Sequence, residues 1–297
     1  MSSPSSSPRR SLWERILHSP DDMRLRVGWR LLVHLVLVFI LTTFLLMFTG
    51  LGSPLAQVVP LLAVIAATWL ARSRLDHRSL TSLGFHVDRR MVLDLLLGFI
   101  LPALLIGLIF IFQQSMGWLQ IESLAWEQAP VAEWLPGLLA MLVIFLSIGI
   151  QEELLSRGYQ LQNLTEAMNL HWGLFLSSIF FALLHIQNPN ASWASILVTL
   201  ASGYFLAFGW VRTGRLWLPI GLHVGWNFFQ GSVFGFPVSG LEVTTLISHR
   251  VQGPILMTGG AYGPEASLLS LPAMALGSLL IWAYTRKRKP DPSTMDD

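Results

Sequence analysis

Long apolar stretches dominate this chain and make the lipid bilayer the solvent that its fold must suit. A helix that crosses the hydrocarbon core needs about 20 predominantly apolar residues, and we identify eight such candidates. Charged residues make up 12% of the chain, against about 25% in soluble domains, too few to cover a surface that faces water. The sequence therefore predicts an all-α, polytopic bundle of about eight transmembrane helices. The candidates cover residues 30–50, 54–71, 92–113, 134–152, 172–187, 192–211, 215–231 and 266–285.

Basic residues are distributed unevenly between the two sides that these stretches would create. Lys and Arg concentrate before the first stretch, in the connection 72–91, in the turn 212–215 and after the last stretch, whereas the alternate connections contain Arg250 alone. We also assign Arg157, at the end of the fourth stretch, to the basic side. Because Lys and Arg mark the cytoplasmic side of a membrane protein, this asymmetry predicts that both termini are cytoplasmic.

The two ends of the chain differ in composition from the apolar region. Their extremes, Ser2–Pro8 and Lys289–Asp297, are rich in Ser, Pro and charged residues and are expected to be disordered. No short apolar region with a small-residue cleavage site precedes the first stretch, so a cleavable signal peptide is not expected. We expect a cytoplasmic tail at 1–29, a transmembrane domain at 30–285 with its motifs at 150–230, and a second cytoplasmic tail at 286–297.

Composition also excludes several kinds of chemistry. The chain has no cysteine, which excludes disulfides, thiolate zinc sites and a cysteine nucleophile. Its net charge of +2 gives no reason to expect nucleic acid as a partner, so the expected partners are the bilayer and a membrane-associated substrate. The segment 232–265 is rich in Gly and Pro, which predicts a loop or re-entrant structure.

The first polar cluster inside an apolar stretch is formed by Glu152, Glu153 and Arg157. Ionisable groups in such surroundings are costly and usually mark function. Glu153 and Arg157 are four residues apart and can meet on one helix face, while Glu152 is rotated by about 100° from Glu153. The less neutralised Glu152 therefore suits a general base. The alternative is an ordinary ion pair where a helix end meets the cytoplasmic interface.

Histidines carry the other two clusters. His185 ends the fifth stretch and shares a helical face with Phe181; alone, it could equally be a histidine at the membrane boundary. His223 and Asn227 are four residues apart on one predicted helix, where they could instead hydrogen-bond to a neighbouring helix. Trp226 and Phe228, beside them, can pack outward.

In combination, the three clusters supply the parts of one reaction. A carboxylate and an imidazole can hold and deprotonate a water molecule, and a second imidazole and a carboxamide can donate hydrogen bonds to an oxyanion. No serine has comparable support as a nucleophile. The sequence therefore predicts that the clusters meet around one water-filled pocket, reached from the cytoplasmic side or laterally from the bilayer.

The clusters resemble the motifs of the CAAX prenyl endopeptidase and bacteriocin-processing family (CPBP, also called Abi), a set of intramembrane glutamic proteases. The motif Glu-Glu-x-x-x-Arg is present at residues 152–157, Phe-x-x-x-His at 181–185 and His-x-x-x-Asn at 223–227. All three are complete and in the order of the family. Weaker likeness to bacterial members at Ser82–Phe85 and Val238–Gly240 suggests a bacterial inner (plasma) membrane as the location.

The resemblance implies an intramembrane endopeptidase that hydrolyses a peptide bond in a membrane-associated protein or peptide. In the family mechanism Glu152 activates water with the help of His185, His223 and Asn227 form the oxyanion site, and Glu153 and Arg157 hold the carboxylates in place. No cofactor is expected, although a divalent metal held by Glu152, His185 and His223 stays open, since these are zinc-type ligands. Two other functions also stay open: a peptide-binding immunity or scaffold protein, and a transporter with a proton relay.

Overall fold

Helices lie at each of the eight positions that the apolar stretches predict. The structure, a computed structural model, describes residues 11–19, 23–49, 56 and 58–288. Its helices at these positions are α2 (Val27–Thr49), α3 (Val59–Arg74), α4 (Arg89–Ser115), α6 (Val131–Glu153), α8 (Leu170–Leu184), α9 (Trp193–Thr213), α10 (Trp217–Asn227) and α12 (Ser270–Thr285). Shorter helices are α1 (Leu12–Leu17), α5 (Ala125–Gln128), α7 (Leu161–Ala167) and α11 (Ile255–Thr258).

Four of the described helices are long and apolar enough to cross a membrane. They span Val27–Thr49, Arg89–Ser115, Val131–Ala167 and Trp193–Thr213, while α8 and α12 are apolar but shorter. The structure thus supports a helical membrane protein. The number of eight spans and the cytoplasmic position of the termini remain predictions.

Local capping interactions explain where several of these helices begin and end. The side chain of Asp88 accepts a hydrogen bond from the Met91 amide at the start of α4, and Asn169 caps α8 in the same way. Ser192 and Ser195 form a reciprocal capping box at the start of α9, which ends at Gly214 with φ of +67°. These side chains satisfy amide groups that a helix leaves without partners at its first turn.

The helix that carries the first motif is longer than the predicted stretch 134–152. α6 continues through a π-helical turn at Leu154–Gln160 into α7, so that the helical run covers 37 residues. At 1.5 Å per residue this is about 55 Å, well beyond the ~30 Å hydrocarbon core. The helix therefore continues past the predicted end of this stretch at residue 152, which corrects that bound, while the position of Glu152 relative to the membrane interface remains a prediction.

Arg157 lies in the π-helical turn that follows Glu153. Its side chain is 2% exposed and bonded to Glu153, so its charge is compensated inside the bundle. Its assignment to the basic, cytoplasmic side remains a prediction.

A small β-sheet departs from the all-α prediction. β1 (Leu119–Leu124) pairs antiparallel with β2 (Ile247–Val251), with Leu119 opposite Val251 and an irregularity between Ile121 and Ser123. β2 lies within the segment 232–265, which begins in the last residues of a π-helical turn at Phe228–Val233 and otherwise consists of loops, α11 and 3-10 turns, as its Gly and Pro content predicts. The pairing joins the segment after α4 to the loop that follows α10.

The described part of the N-terminal tail contains a helix that we did not predict, α1. Ser11 and Glu14 form a capping box that starts α1. The prediction that Ser2–Pro8 and Lys289–Asp297 are disordered lies outside the described residues.

Close contact between α4 and α10 sets the position of the third motif. A Cβ built on Gly221 would come within 2.6 Å of the Leu95 carbonyl oxygen, and one built on Gly98 within 2.6 Å of the Leu218 carbonyl oxygen. A Cβ on Gly225 would overlap the backbone of Phe99. Small residues allow membrane helices to pack with their backbones nearly touching, and this packing places the opposite face of α10, with His223 and Asn227, toward α6 and α8.

Candidate active site

The predicted clusters surround one cavity inside the bundle. The cavity has a volume of about 590 Å³, and its walls are formed mainly by apolar side chains of α6, α9 and α10 together with residues 238–244. Five predicted side chains line it: Glu152, Phe181, His185, His223 and Asn227. Glu153 and Arg157, both fully buried, lie behind this wall. The structure therefore brings all seven predicted residues together.

Glu153 is the centre of the buried charge network. Its Oε1 atom accepts a hydrogen bond from Arg157 Nη1 at 2.9 Å and one from His223 Nδ1 at 2.8 Å. The sequence predicted the first bond from the spacing of four residues. The second joins residues 70 positions apart, so no local pattern could have indicated it. Glu153 thus orients His223 as well as pairing with Arg157.

Arg157 is held on three sides. Besides Glu153, its Nη2 atom donates to the Gly203 carbonyl oxygen at 3.2 Å, and its guanidinium lies 4.1 Å from the centre of the Phe181 ring. A cation above an aromatic face is stabilised by the ring quadrupole. These contacts connect the first motif on α6 to the second on α8 and to α9.

His185 is fixed by the backbone of its own motif. It stands at the C-terminal cap of α8, and its Nδ1 atom donates to the Phe181 carbonyl oxygen at 2.8 Å. The two rings are also in contact, with centroids 4.8 Å apart. Phe181 therefore holds His185 through its backbone carbonyl oxygen, while its ring contacts both Arg157 and His185.

The carboxylate of Glu152 lies between the two histidines. Its Oε2 atom is 3.8 Å from His185 Nε2 and 3.8 Å from His223 Nε2. Both distances exceed those of direct hydrogen bonds. Within the described residues, no protein group donates a hydrogen bond to this buried oxygen. Glu152 and Glu153, although adjacent, thus have different environments: one faces the cavity, and the other is bonded through Oε1 to Arg157 and His223.

These bonds decide which nitrogen of each imidazole faces Glu152. A carbonyl oxygen can only accept, and so can the ionised Glu153, so His185 and His223 both donate from Nδ1. In its neutral form each ring then presents Nε2 to the cavity as an acceptor; in its protonated form each presents a donor. The site can therefore take up a proton at either histidine without losing the bond that orients the ring.

Asn227 and Trp226 complete the wall on α10. Asn227 lies one turn beyond His223, is 5% exposed and lines the same cavity. Trp226 was expected to pack outward, but it is buried and lines the cavity too, in contact with Phe205 at a centroid distance of 6.3 Å. The reason is that α9, through Phe205, covers the face of α10 that the sequence alone left exposed.

Several polar residues of the cavity were not predicted as site residues. Glu265 lines the wall and accepts hydrogen bonds from the Ser239 amide at 2.6 Å and its hydroxyl at 2.8 Å. Glu242 and Asn188 line the cavity as well. Ser239 belongs to the weaker likeness at Val238–Gly240, which was the one signal available. Glu242 and Glu265 lie in an irregular segment, where periodicity gives no information on orientation.

A metal site is not evident from the arrangement of ligands. Within the part of the chain that the structure describes, no group of three His, Asp or Glu side chains is arranged to hold a metal ion. Glu152, His185 and His223 remain the residues that could contact one, and the question is open to experiment.

The fold and the buried charges together define an integral membrane protein with a polar site inside its helical bundle. Residues 133–229 match a family model described as Rce1-like, type II CAAX prenyl endopeptidase Rce1-like. The match covers all three motifs and confirms the resemblance to the CAAX and CPBP family. It supports a function of the CAAX-type intramembrane protease kind. A search of curated proteins found no match to this chain.

Proposed function

We propose that this protein is an intramembrane glutamic endopeptidase that hydrolyses a peptide bond in a membrane-associated protein or peptide. The observation that carries the proposal is the position of Glu152 Oε2, 3.8 Å from the Nε2 atoms of both His185 and His223. Two polar atoms at this separation are too far apart for a direct bond and close enough for one water molecule to bond to both.

The first step is the activation of that water. It donates one hydrogen bond to Glu152 and one to the Nε2 atom of neutral His185. As the oxygen attacks the carbonyl carbon of the substrate, Glu152 takes up the proton. The carbonyl oxygen of the substrate becomes an oxyanion, and the attacked carbon becomes tetrahedral.

The second step is stabilisation and collapse of this intermediate. Asn227 donates a hydrogen bond to the oxyanion, and protonated His223 donates a second from Nε2, with its positive charge balanced by Glu153. Donors of this kind typically contribute about 2.7–4 kcal/mol each to transition-state stabilisation. The proton held by Glu152 then passes to the leaving amine as the carbon–nitrogen bond breaks, which returns Glu152 to its ionised form.

The location of the site indicates the kind of substrate. The cavity lies inside a helical bundle in a chain with four helices able to cross a membrane, and its walls are mainly apolar. A peptide that reaches it must leave bulk water, so we propose a substrate that is itself attached to or embedded in the bilayer. We place the protein in a bacterial inner membrane, in line with the bacterial likeness of its sequence.

Comparative membrane proteomics tests the proposal. Cells that express the wild type and cells that express the Glu152→Gln variant should differ in at least one cleaved membrane-associated peptide, which is present with the wild type and lost with the variant. If the variant produces the same peptides and complements a deletion strain as well as the wild type does, the role is that of a binding protein and proteolysis is ruled out.

We expect catalysis to need no divalent metal, because Glu152 and two histidines already supply a base and proton donors. Purified protein treated with EDTA or 1,10-phenanthroline should retain its rate of cleavage to within about twofold. Loss of activity that Zn²⁺ restores would assign Glu152, His185 and His223 as metal ligands and replace the mechanism above with a metal-bound water.

A further inference from the structure

The cavity extends from Glu152 toward one end of the bundle. On α6 its wall runs from Glu152 back to Met141, toward the N-terminal end of that helix, and none of the described residues 154–167 takes part. The last turns of α8 and α10 also form part of the wall. Phe181 and His185 are the lining residues at the end of α8. All three helices therefore point the open part of the cavity to the end of the bundle where α6 begins and where α8 and α10 finish.

The segment after α10 forms the mouth of the cavity. Residues 241–244 line it, and Leu241, Glu242 and Thr244 are exposed. The mouth is held by Glu265, which bonds to both the amide and the hydroxyl of Ser239. β2, further along the same segment, pairs with β1 immediately before α6. The mouth and the sheet thus lie at the same end of the bundle.

Basic residues gather at the other end. Arg24 and Arg78 both pair with Glu166 near the end of α7, at 2.5 and 3.4 Å. Arg215, between α9 and α10, pairs with Asp88 before α4 at 2.7 Å. Arg250 on β2 is the one described basic residue at the opposite end. The other described Lys and Arg residues outside the helix interiors lie at the basic end: Arg15, Arg26, Arg74, Arg89, Arg90, Arg212, Arg286, Lys287 and Arg288.

The end that carries the mouth has the opposite charge. Glu122, Glu127, Glu133, Glu242 and Glu265 lie there, and among the described residues that line the cavity there is no Lys or Arg. Basic residues are retained on the cytoplasmic side during membrane insertion. The charge distribution therefore assigns the mouth of the cavity to the side that faces away from the cytoplasm.

We propose that the cavity is loaded from the non-cytoplasmic face, so that substrates are the extracytoplasmic portions of membrane-anchored polypeptides. That the bound polypeptide is a substrate rests on the proposed function, whereas the direction of access rests on structure and charge alone. It differs from the sequence-based expectation of access from the cytoplasmic side or laterally from the bilayer. The reason for the difference is that the cavity wall on α6 runs from Glu152 back to Met141 and includes none of the described residues 154–167.

The absence of cysteine from the chain allows a direct test by single-cysteine labelling. Thr244→Cys places a thiol at the mouth and Ser202→Cys places one on the cavity wall of α9. Ser79→Cys, an exposed position between α3 and α4, is the matched control at the basic end. Each variant is expressed in a bacterial host, and spheroplasts are treated with a small, charged, membrane-impermeant thiol reagent before and after permeabilisation.

We expect Thr244→Cys and Ser202→Cys to react fully in intact spheroplasts and Ser79→Cys to react after permeabilisation alone, with at least a tenfold difference between the two conditions. Reaction of Ser79→Cys in intact spheroplasts would overturn the assigned orientation. Failure of Ser202→Cys to react in intact spheroplasts, while Thr244→Cys does, would overturn access through the mouth. Because labelling needs no turnover, these outcomes are independent of whether Glu152→Gln abolishes proteolysis.

Discussion

Replacement of Glu152 by Gln is expected to lower the rate of peptide-bond cleavage by about 10²–10⁴-fold, the usual contribution of a positioned general base. Gln keeps the shape of the side chain and can still bond to a water molecule, but it cannot take up the proton that the attacking water must lose. Glu152 faces the cavity and is 3.8 Å from either histidine, so its charge is not part of the buried ion pair. We therefore expect the melting temperature in detergent to change little.

A matched control is available on the same helix. Glu133 lies in the first turn of α6, is exposed and does not line the cavity, so Glu133→Gln should keep the wild-type rate. The measurement is single-turnover cleavage of a substrate peptide found by proteomics, together with thermal unfolding of each variant. A Glu152→Gln protein that is fully folded and cleaves at the wild-type rate would reject the mechanism.

The buried pair of Glu153 and Arg157 should give the largest effect on stability. Both side chains are at most 2% exposed, and removal of one partner leaves a buried charge without compensation, which typically costs about 3–5 kcal/mol. We expect Arg157→Met and Glu153→Gln each to lower the melting temperature strongly. The double variant removes both charges and should recover most of the loss. The activity of the double variant should stay low. The amide oxygen of Gln at position 153 can still accept a hydrogen bond from neutral His223, but the uncharged amide no longer balances the positive charge of protonated His223.

The exposed pair of Arg250 and Glu122 is the control for this experiment. Its atoms are 3.0 Å apart, but the side chains are 66% and 48% exposed, and surface ion pairs contribute little to stability. Glu122→Gln should therefore leave the melting temperature within about 1 °C of the wild type by the same reasoning. If the double variant at 153 and 157 is no more stable than Arg157→Met alone, the two residues do not act as a compensating pair.

The three motifs could be found in the sequence because each depends on local spacing. Glu153 and Arg157, and His223 and Asn227, are four residues apart on a helix, and this spacing is enough to place them on one face. Phe181 and His185 satisfy the same rule, with a bond from the histidine back to the Phe181 carbonyl oxygen. The distribution of apolar residues located the helices for a similar reason, since a membrane helix needs one continuous apolar stretch.

Other features could not be predicted because their partners are distant in the chain. The bond from His223 to Glu153 and the pairing of β1 with β2 join segments far apart in sequence, and irregular segments such as 232–265 have no periodicity that shows which side chains face inward. The continuation of α6 past Glu152 was not predicted because the charged residues Glu152, Glu153 and Arg157 lower the hydropathy there, which indicated the end of the apolar stretch. In the structure these residues lie inside the bundle.

The sequence by itself determined the class of chain, the positions of its long apolar helices and the identity of the candidate site residues, because composition and helical spacing are local properties. Tertiary structure alone decided how those residues meet. It placed Glu152 between two histidine rings, assigned Glu153 to orient one of them and set the direction in which the cavity opens. Each of these depends on packing between helices, which the order of residues within one helix does not encode.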